Sequence, residues 1–291
     1  MKPAPFRYHR PDSADEAVAL LAELGDDAKV LAGGQSLIPM LSLRLTAFDH
    51  LIDIGRIESL RGVHADDGGV WVGAGTTEAA VERDAAVAAG VPLLARATPL
   101  IAHVQIRNRG TVGGSIAHAD PAAEYPAVAL ALDAELDVLS IRGARTIAAA
   151  DFFDGLWTTS MEPDELLVGI RFPTWSGRCG SAVEEMVRRH GDYAIAGAAV
   201  AVEIDDDDRV TRCAIGLLGL GSQPLRATAA EADAVGSAVD GLDIDALARR
   251  AVDDLTEVPA DLNGSAAYRT HVGAVMVGRA LTSAIEEARR A

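Results

Sequence analysis

The stretch RGTVGGSIAHADPAAEYP, residues 109–126, carries a Gly-Gly pair followed by a serine. The stretch LAGGQSLIPML, residues 31–41, carries a second Gly-Gly pair with a serine two residues on. Glycine lets backbone N–H groups approach an anion closely, and it adopts the positive φ that tight turns need. If the two loops meet in space, they could hold one long anionic ligand from two sides. The alternative interpretation is two ordinary tight turns.

Neither loop has the G-x-G-x-x-G spacing with which a Rossmann domain binds the pyrophosphate of a dinucleotide. The segment GAGTTE, residues 73–78, is only a fragment of such a motif. A dinucleotide bound by this chain would therefore require a different flavin or nucleotide fold.

Length and composition limit the class of protein. The chain has 291 residues, of which 49% are hydrophobic, which is typical of a globular protein with two domains or one domain and a lobe. The formal charge of -17 repels nucleic-acid phosphates and anionic lipids, so neither is expected as a partner. No apolar run is long enough to span a bilayer, and the N-terminus lacks the apolar core of a signal peptide. We therefore expect a cytoplasmic protein.

The residues that commonly bind metals are few and scattered. Cys179 and Cys213 are too few for an iron–sulfur cluster, which normally takes four ligands, and are interpreted as reduced thiols. The seven histidines show no paired ligand spacing. The four aspartates at 205–208 are interpreted as a solvated hairpin turn that helps to keep a sheet edge from pairing. The sequence thus predicts no metal site.

Secondary-structure patterns indicate an α+β protein without the regular strand–helix alternation of a doubly wound fold. Ser13 and Glu16 form a capping box at the start of the first helix, which Gly25 ends. A linker is predicted at 173–180. Other predicted elements are helices at 91–105, 122–136, 243–255 and 266–289, and strands at 192–204 and 210–221.

The two glycine stretches together with HVQIRN before the second one resemble the FAD-binding medium subunit of the molybdenum hydroxylases, a group that includes xanthine dehydrogenase and aerobic carbon monoxide dehydrogenase. Downstream, ELLVGIRFP, RRHGDYAIAGAAVAV, GLGSQPLRAT and SAAYRTHVGAVMVGRAL fit the same family in order, so the resemblance covers nearly the whole chain. It implies a two-subdomain FAD-binding fold of the vanillyl-alcohol oxidase (PCMH) type at 1–175, with subdomains at about 1–57 and 58–175. A smaller α+β C-terminal domain would follow at 178–291.

The resemblance also implies which residues bind FAD. Two walls, an acidic pair and three residues near the ring system are expected to contact it. These are Leu31, Ala32, Gly33, Gly34, Gln35, Ser36 and Leu37; Thr111, Gly113, Gly114 and Ser115; Asp120 and Glu124; and Ile101, Leu167 and Tyr193. The absence of an R-x-G-G-H histidine indicates noncovalent FAD.

Simpler interpretations exist for several of these residues. Tyr193, Ile101 and Leu167 are also compatible with ordinary core positions. Glu124 could be a first-turn acid of a helix, and Asp120 could cap that helix. His118 could lie near the flavin.

The function implied by the resemblance is electron transfer without a catalytic side chain on this chain. A large molybdopterin subunit and a small subunit with [2Fe–2S] clusters would be the partners, in a dimer of heterotrimers, and the flavin would reduce an external acceptor. Two alternatives remain open: a stand-alone FAD-dependent oxidoreductase of the same flavin fold, and an assembly subunit that has lost FAD.

Overall fold

A computed structural model describes residues 2–291. The chain begins with a small parallel sheet, in which the third strand lies between the first two. Its elements are β1 (Arg7–His9), α1 (Ala14–Leu24), β2 (Ala28–Leu31), α2 (Leu37–Leu43) and β3 (His50–Asp53). Strand and helix alternate here over about fifty residues. The alternation does not continue beyond this unit, because the other two sheets are antiparallel, as expected of an α+β fold.

The predicted capping box is confirmed at the start of α1. The Ser13 hydroxyl accepts a hydrogen bond from the Glu16 N–H at 3.1 Å. The Glu16 carboxylate accepts one in return from the Asp12 N–H at 2.9 Å, one residue before the cap itself. Gly25 follows the helix at φ +55, a value that favours glycine.

The second unit is a five-stranded sheet with helices inserted between its second and third strands in the chain. The strand order is β4-β5-β8-β6-β7, and every neighbouring pair is antiparallel. Its elements are β4 (Val63–Asp66), β5 (Gly69–Gly73), α3 (Glu78–Val81), α4 (Ala85–Gly90), α5 (Pro92–Ala97), α6 (Val104–Arg107), α7 (Val112–His118), α8 (Glu124–Ala131), β6 (Glu135–Ser140), β7 (Gly143–Ala148) and β8 (Leu166–Pro173).

Two of the predicted helices are shorter than the pattern indicated. The prediction of one continuous helix at 91–105 is wrong. Pro99 lies in a short 3-10 turn and Ala102 has a φ of +44, so the helix is interrupted between α5 and α6. The helix predicted at 122–136 ends at Ala131, and a turn at Asp133 with φ +54 leads into β6. A continuous apolar run does not by itself separate helix from strand.

The third unit is an antiparallel sheet covered by helices. The strand order is β12-β11-β10-β9, and the last helix packs across β9 and β10. Its elements are β9 (Arg178–Met186), β10 (Ala196–Ile204), β11 (Val210–Leu218), β12 (Leu225–Arg226), α9 (Thr228–Ala234), α10 (Ile244–Asp253) and α11 (Ala266–Ala288). Gly180 permits the close packing, since a Cβ there would overlap the Ala284 carbonyl oxygen and lie 2.7 Å from the Ala288 nitrogen.

The four aspartates form the predicted hairpin turn, but they do not protect an edge. They join β10 to β11, which are the two central strands of the sheet. The Asp205 carboxylate accepts hydrogen bonds from the N–H groups of Asp207 and Arg209, and Asp208 pairs with Arg178. Within residues 2–291, no group of three or more His, Cys, Asp or Glu side chains is arranged to hold a metal ion.

Helix α8 joins the second and third units. All eight of its residues are buried. It packs on β11 closely enough that a Cβ at Gly216 would overlap the Ala127 carbonyl oxygen. A salt bridge between Arg96 and Glu287 ties α5 to α11 nearby. The first turn of α8 is therefore held against the sheet of the third unit, which fixes the position of Glu124.

Cys179 and Cys213 are free thiols, as predicted. Among the helices within residues 2–291, none is long and apolar enough to cross a membrane.

Candidate functional site

The two glycine loops lie against each other. A Cβ at Gly33 would overlap the carbonyl oxygen of Arg109 and lie 2.8 Å from the Cα of Gly110. Only glycine allows this approach. The loop after β2 and the loop before α7, more than seventy residues apart in the chain, thus form two sides of one cleft.

The first loop, defined as residues 33–36, has free backbone donors. The N–H groups of Gly33, Gly34, Gln35 and Ser36 donate to no residue among 2–291. The loop is shaped from within: Gly34 has a φ of +74, and the Gln35 side-chain amide donates to the Gly33 carbonyl at 3.0 Å. Residues 31–37 are all half-buried. Successive N–H groups without partners in a half-buried turn are suited to an anion.

The second loop, the name kept here for residues 111–115, comprises the N-cap and first turn of α7, and all of its N–H donors from Val112 to Ser115 have partners in the protein. The Thr111 hydroxyl accepts the Gly114 N–H at 3.1 Å, and the Thr111 carbonyl accepts the Ser115 N–H at 3.0 Å. The N–H groups of Val112 and Gly113 donate to carbonyl oxygens of the turn after β5, at 3.0 Å and 2.9 Å. This loop is therefore a firm wall, and its half-exposed members are Gly114 and Ser115.

The turn after β5 contains the GAGTTE segment. The carbonyl oxygens of Ala74 and Thr76 in this turn accept the hydrogen bonds from the second loop. A Cβ at Gly113 would lie 2.7 Å from the Cα of Ala74, so the two segments pack backbone to backbone. Carbonyl oxygens repel phosphate, so this turn supports the wall of the cleft instead of binding an anion itself.

Glu124 is the first residue of α8 and is only 6% exposed. Its carboxylate accepts no side-chain or backbone hydrogen bond from another residue among 2–291. Burial raises the pKa of Glu124 to about 8, with further repulsion from Glu185, Glu78 and Asp120. A buried carboxyl group without a partner is costly unless a ligand supplies one, and sugar hydroxyls would do so.

Asp120 lies in the turn between α7 and α8, and it does not cap α8. The N-cap is Ala123, which precedes Glu124. The Asp120 carboxylate instead accepts the Ala122 N–H at 2.9 Å and the indole N–H of Trp157 at 3.1 Å. The capping alternative is therefore wrong, because Asp120 lies three residues before the N-cap and its carboxylate accepts no hydrogen bond from the first turn of α8.

His118 ends α7 and lies next to this group. Its ring is stacked on that of Trp157, with a centroid distance of 6.2 Å and an interplanar angle of 9°. Burial lowers the pKa of His118, Asp120 raises it, and Lys29 lowers it further.

Tyr193 lies in the loop between β9 and β10, and 53% of the residue is exposed. Desolvation of the phenol raises its pKa to about 12, the Asp120 charge adds to the shift, and the nearby Ser36 side chain opposes it. The C-terminal unit thereby reaches the first loop. Leu167 is buried in β8, and Ile101 is half-buried and offers its carbonyl to Arg107 at 2.9 Å.

Sequence reasoning missed Glu78. The residue is 4% exposed, and its carboxylate lies against Gly110, where a Cβ would be 2.6 Å from Oε2. Oε2 is buried without a hydrogen-bond partner, and burial raises the pKa of Glu78 to about 7. In the sequence Glu78 follows the Thr77 cap and matches an ordinary first-turn acid. Its burial depends on packing against a loop thirty residues away, which no local signal indicates.

Residues 4–175 match the family of the FAD binding domain in molybdopterin dehydrogenase. Residues 181–284 match the CO dehydrogenase flavoprotein C-terminal domain. The chain belongs to this family of FAD-binding dehydrogenase subunits. The predicted resemblance and the α+β fold class are confirmed.

Similar proteins agree over nearly the full length. The chain is 43% identical to the 6-hydroxypseudooxynicotine dehydrogenase complex subunit alpha of Paenarthrobacter nicotinovorans, covering 99% of this chain and 97% of the relative. It is 41% identical to the carbon monoxide dehydrogenase medium chain of Hydrogenophaga pseudoflava, covering 98% of each. A solved structure of carbon monoxide dehydrogenase from Hydrogenophaga pseudoflava matches with a TM-score of 0.95 and 42% identity, covering 99% of both chains.

The residues of the FAD-binding domain fit its cofactor. The free N–H groups of the first loop suit an anionic pyrophosphate, and the unpartnered Glu124 carboxyl suits hydroxyl groups. The wall opposite packs tightly, since a Cβ at Gly113 would meet Ala74 and one at Gly114 would meet the Thr111 hydroxyl. Both features are expected of a protein that binds FAD.

Proposed function

We propose that this FAD-binding chain is the electron-transfer subunit of a molybdenum-containing hydroxylase or dehydrogenase complex. A large molybdopterin subunit would oxidise the substrate, and a small subunit with [2Fe–2S] clusters would deliver electrons to this chain. The observation that carries the proposal is the cleft itself. Four backbone donors without partners lie opposite a wall whose own donors are all engaged.

Each wall has a separate task in this proposal. The N–H groups of Gly33, Gly34, Gln35 and Ser36 bind the pyrophosphate, and Glu124 accepts from a sugar hydroxyl. Bound FAD supplies the chemistry of accepting electrons one at a time and releasing them to an external acceptor. The chain binds and orients the cofactor, and none of its side chains is required as a general acid or base.

The remaining residues shape the cleft. Thr111 caps α7 and Gly113 lets it pack on Ala74, and Gly114 and Ser115 are the half-buried members of this wall that we propose to face the ligand. Leu31, Ala32 and Leu37 flank the first loop. We propose that Ile101, Leu167 and Tyr193 contact the ring system, since an apolar surround excludes water from one face.

Two observations favour a partner complex over a stand-alone oxidoreductase. Ile38, Leu43 and Leu45, on and just after α2, are 42%, 57% and 70% exposed. Clustered exposed apolar side chains are typical of surfaces that another protein covers. One relative is itself described as a complex subunit.

The finer features of the proposal are a cytoplasmic complex with the stoichiometry of a dimer of heterotrimers, and noncovalent FAD. We also propose domain limits of 1–175 and 178–291, with the subdomain boundary near residue 57. Native mass measurement of the complex tests the stoichiometry.

The decisive experiment compares the full chain purified alone with the same chain purified together with its co-expressed partner subunits. We expect a flavin band that denaturation releases as FAD, and iron–sulfur absorption only when the partners are present. Flavin with substrate turnover by the chain alone would support the stand-alone oxidoreductase. A colourless protein in both preparations that takes up no added FAD would overturn the proposal and would favour an assembly subunit.

A further inference from the structure

Trp157 lies at the tip of a tight turn beside the cofactor cleft. The turn is closed by hydrogen bonds between Asp154 and Thr158 at 3.1 Å and between Thr158 and Gly155 at 3.3 Å. Its base is anchored by Phe152 and Phe153, which are buried and pack edge to face with centroids 5.2 Å apart. The tip is therefore held firmly, while Trp157 itself remains 54% exposed.

The backbone of Trp157 is in an unfavourable conformation. Its φ is +54, in the left-handed region that bulky side chains rarely adopt. Residues held in such conformations often occur at ligand clamps, where the surroundings and the ligand determine the geometry. Glycine would adopt this φ without backbone strain, so the presence of tryptophan indicates that the indole side chain has a function at this position.

The indole is tied to the second wall of the cleft. Its N–H donates to the Asp120 carboxylate at 3.1 Å, and its ring is stacked on His118 at an interplanar angle of 9°. Asp120 and His118 lie in and just before the turn that joins α7 to α8, between the second loop and Glu124. The charge of Asp120 also contributes to the raised pKa of Tyr193, across the cleft.

We propose that Trp157 is a positioning residue of the FAD cleft, which orients Asp120 through the indole N–H and packs its exposed ring surface against the bound cofactor. The inference rests on the proposed function. The planar, half-exposed indole is suited to a heteroaromatic or sugar surface, because aromatic contacts add to the apolar area that is buried. With 54% of Trp157 exposed, one surface of the indole is available for such a contact.

The test uses the full chain and four proteins: wild type, Trp157→Phe, Trp157→Ala and the matched control Trp175→Phe. Trp175 packs on the guanidinium of Arg212, 4.0 Å from the ring centroid, on the C-terminal unit. FAD is titrated by equilibrium fluorescence, and its content per chain is measured in the assembled complex. We expect the Kd of Trp157→Ala to rise about tenfold and that of Trp157→Phe by roughly threefold, from the lost aromatic contact and hydrogen bond.

A spectroscopic readout separates positioning from mere structural support. FAD binding should quench the tryptophan fluorescence of wild type and Trp175→Phe strongly, and that of Trp157→Phe by less than half as much. Unchanged Kd and unchanged quenching in Trp157→Phe and Trp157→Ala would overturn the inference. If Trp157→Ala does not fold, the Phe variant decides alone. Failure of all four proteins to bind FAD, alone or in the complex, would instead overturn the proposed function and this inference with it.

Discussion

The two glycine loops look alike in the sequence and differ in the structure. In the first loop, the N–H groups of four successive residues have no partner among 2–291. In the second, every N–H from Val112 to Ser115 donates to a carbonyl or to the Thr111 hydroxyl. The comparison teaches that the same Gly-Gly pair can leave backbone donors free in one place and use them for packing in another, which is why we propose the first loop as the anion-binding one.

The largest expected effect is on folding, from Gly113→Ala. A Cβ there would lie 2.7 Å from the Cα of Ala74, on buried backbone that has no room to move. We expect the free energy of unfolding to fall by about 3 kcal/mol or more, at the upper end of overpacking costs. Urea unfolding measures the change. Gly241→Ala, at a position with open space, is the matched control, and equal stability of the two variants would contradict the division of roles.

Gly33→Ala changes the first loop instead, and its main expected effect is on FAD affinity. The new Cβ would overlap the Arg109 carbonyl and push the two loops apart. We expect FAD affinity to fall by about 100-fold or more, equivalent to ~2.7 kcal/mol, because the donors no longer face the wall. Equilibrium titration with FAD measures this loss. If Gly33→Ala bound FAD like the wild type, the contact between the loops would not matter for the ligand.

The buried carboxyl groups beside the second loop predict a pH dependence. The pKa values of Glu78 and Glu124 are raised to about 7 and about 8, above the value of 4.5 expected in the unfolded chain. The folded protein therefore binds protons more tightly, and its stability falls as pH rises from about 4.5 to about 8. We expect the FAD-free chain to lose about 3 kcal/mol or more of unfolding free energy between pH 5 and pH 8, because each pKa unit is worth about 1.4 kcal/mol and the two groups add.

Urea unfolding across this pH range tests the expectation. Glu78→Gln and Glu124→Gln should each flatten the profile, because a neutral amide does not titrate. Glu286→Gln, at an exposed position on α11, should leave the profile unchanged. Stability that rises with pH over the same interval would show that the two carboxyl groups are not held neutral by burial.

The smallest expected effects come from removing the side-chain hydroxyl groups of Thr111 and Ser36, one at a time. Thr111→Ala removes the cap of α7 and should lower the free energy of unfolding by about 1 kcal/mol, while Thr111→Ser should retain it. Ser36→Ala removes no cap and should change stability by less than about 0.5 kcal/mol. It should weaken FAD binding severalfold through the first loop. Thermal unfolding and FAD titration of the three variants measure these effects. Equal stability and equal FAD affinity of Thr111→Ala and Ser36→Ala would contradict the difference between the two loops.

Local patterns predicted much of the secondary structure. The capping box of α1, the hairpin at the four aspartates and the long C-terminal helix are set by neighbours within a few residues. Strand β1, of three residues, was missed because so short a segment has no period. The supposed helix at 91–105 was overestimated because the left-handed conformation of Ala102 has no sequence signal in alanine.

The residues of the candidate site also fall into those that the sequence predicted and those that it did not. Both glycine loops and Glu124 were predicted from motif and family resemblance, which identify residues by type and order. Glu78 and Trp157 were not predicted, because the environment of each depends on a residue far along the chain, Gly110 for Glu78 and Asp120 for Trp157.

The sequence by itself therefore determined the fold class, the family and the positions of the two loops, because glycine, capping residues and apolar periods act over short range. Only the tertiary structure decided which loop has free donors. That outcome depends on whether Val112 and Gly113 find the carbonyl oxygens of Thr76 and Ala74, and on whether Gly33 can touch Arg109. Hydrogen bonds between distant segments form only when packing brings the segments together, so the same motif kept its donors free in one place and used them for packing in the other.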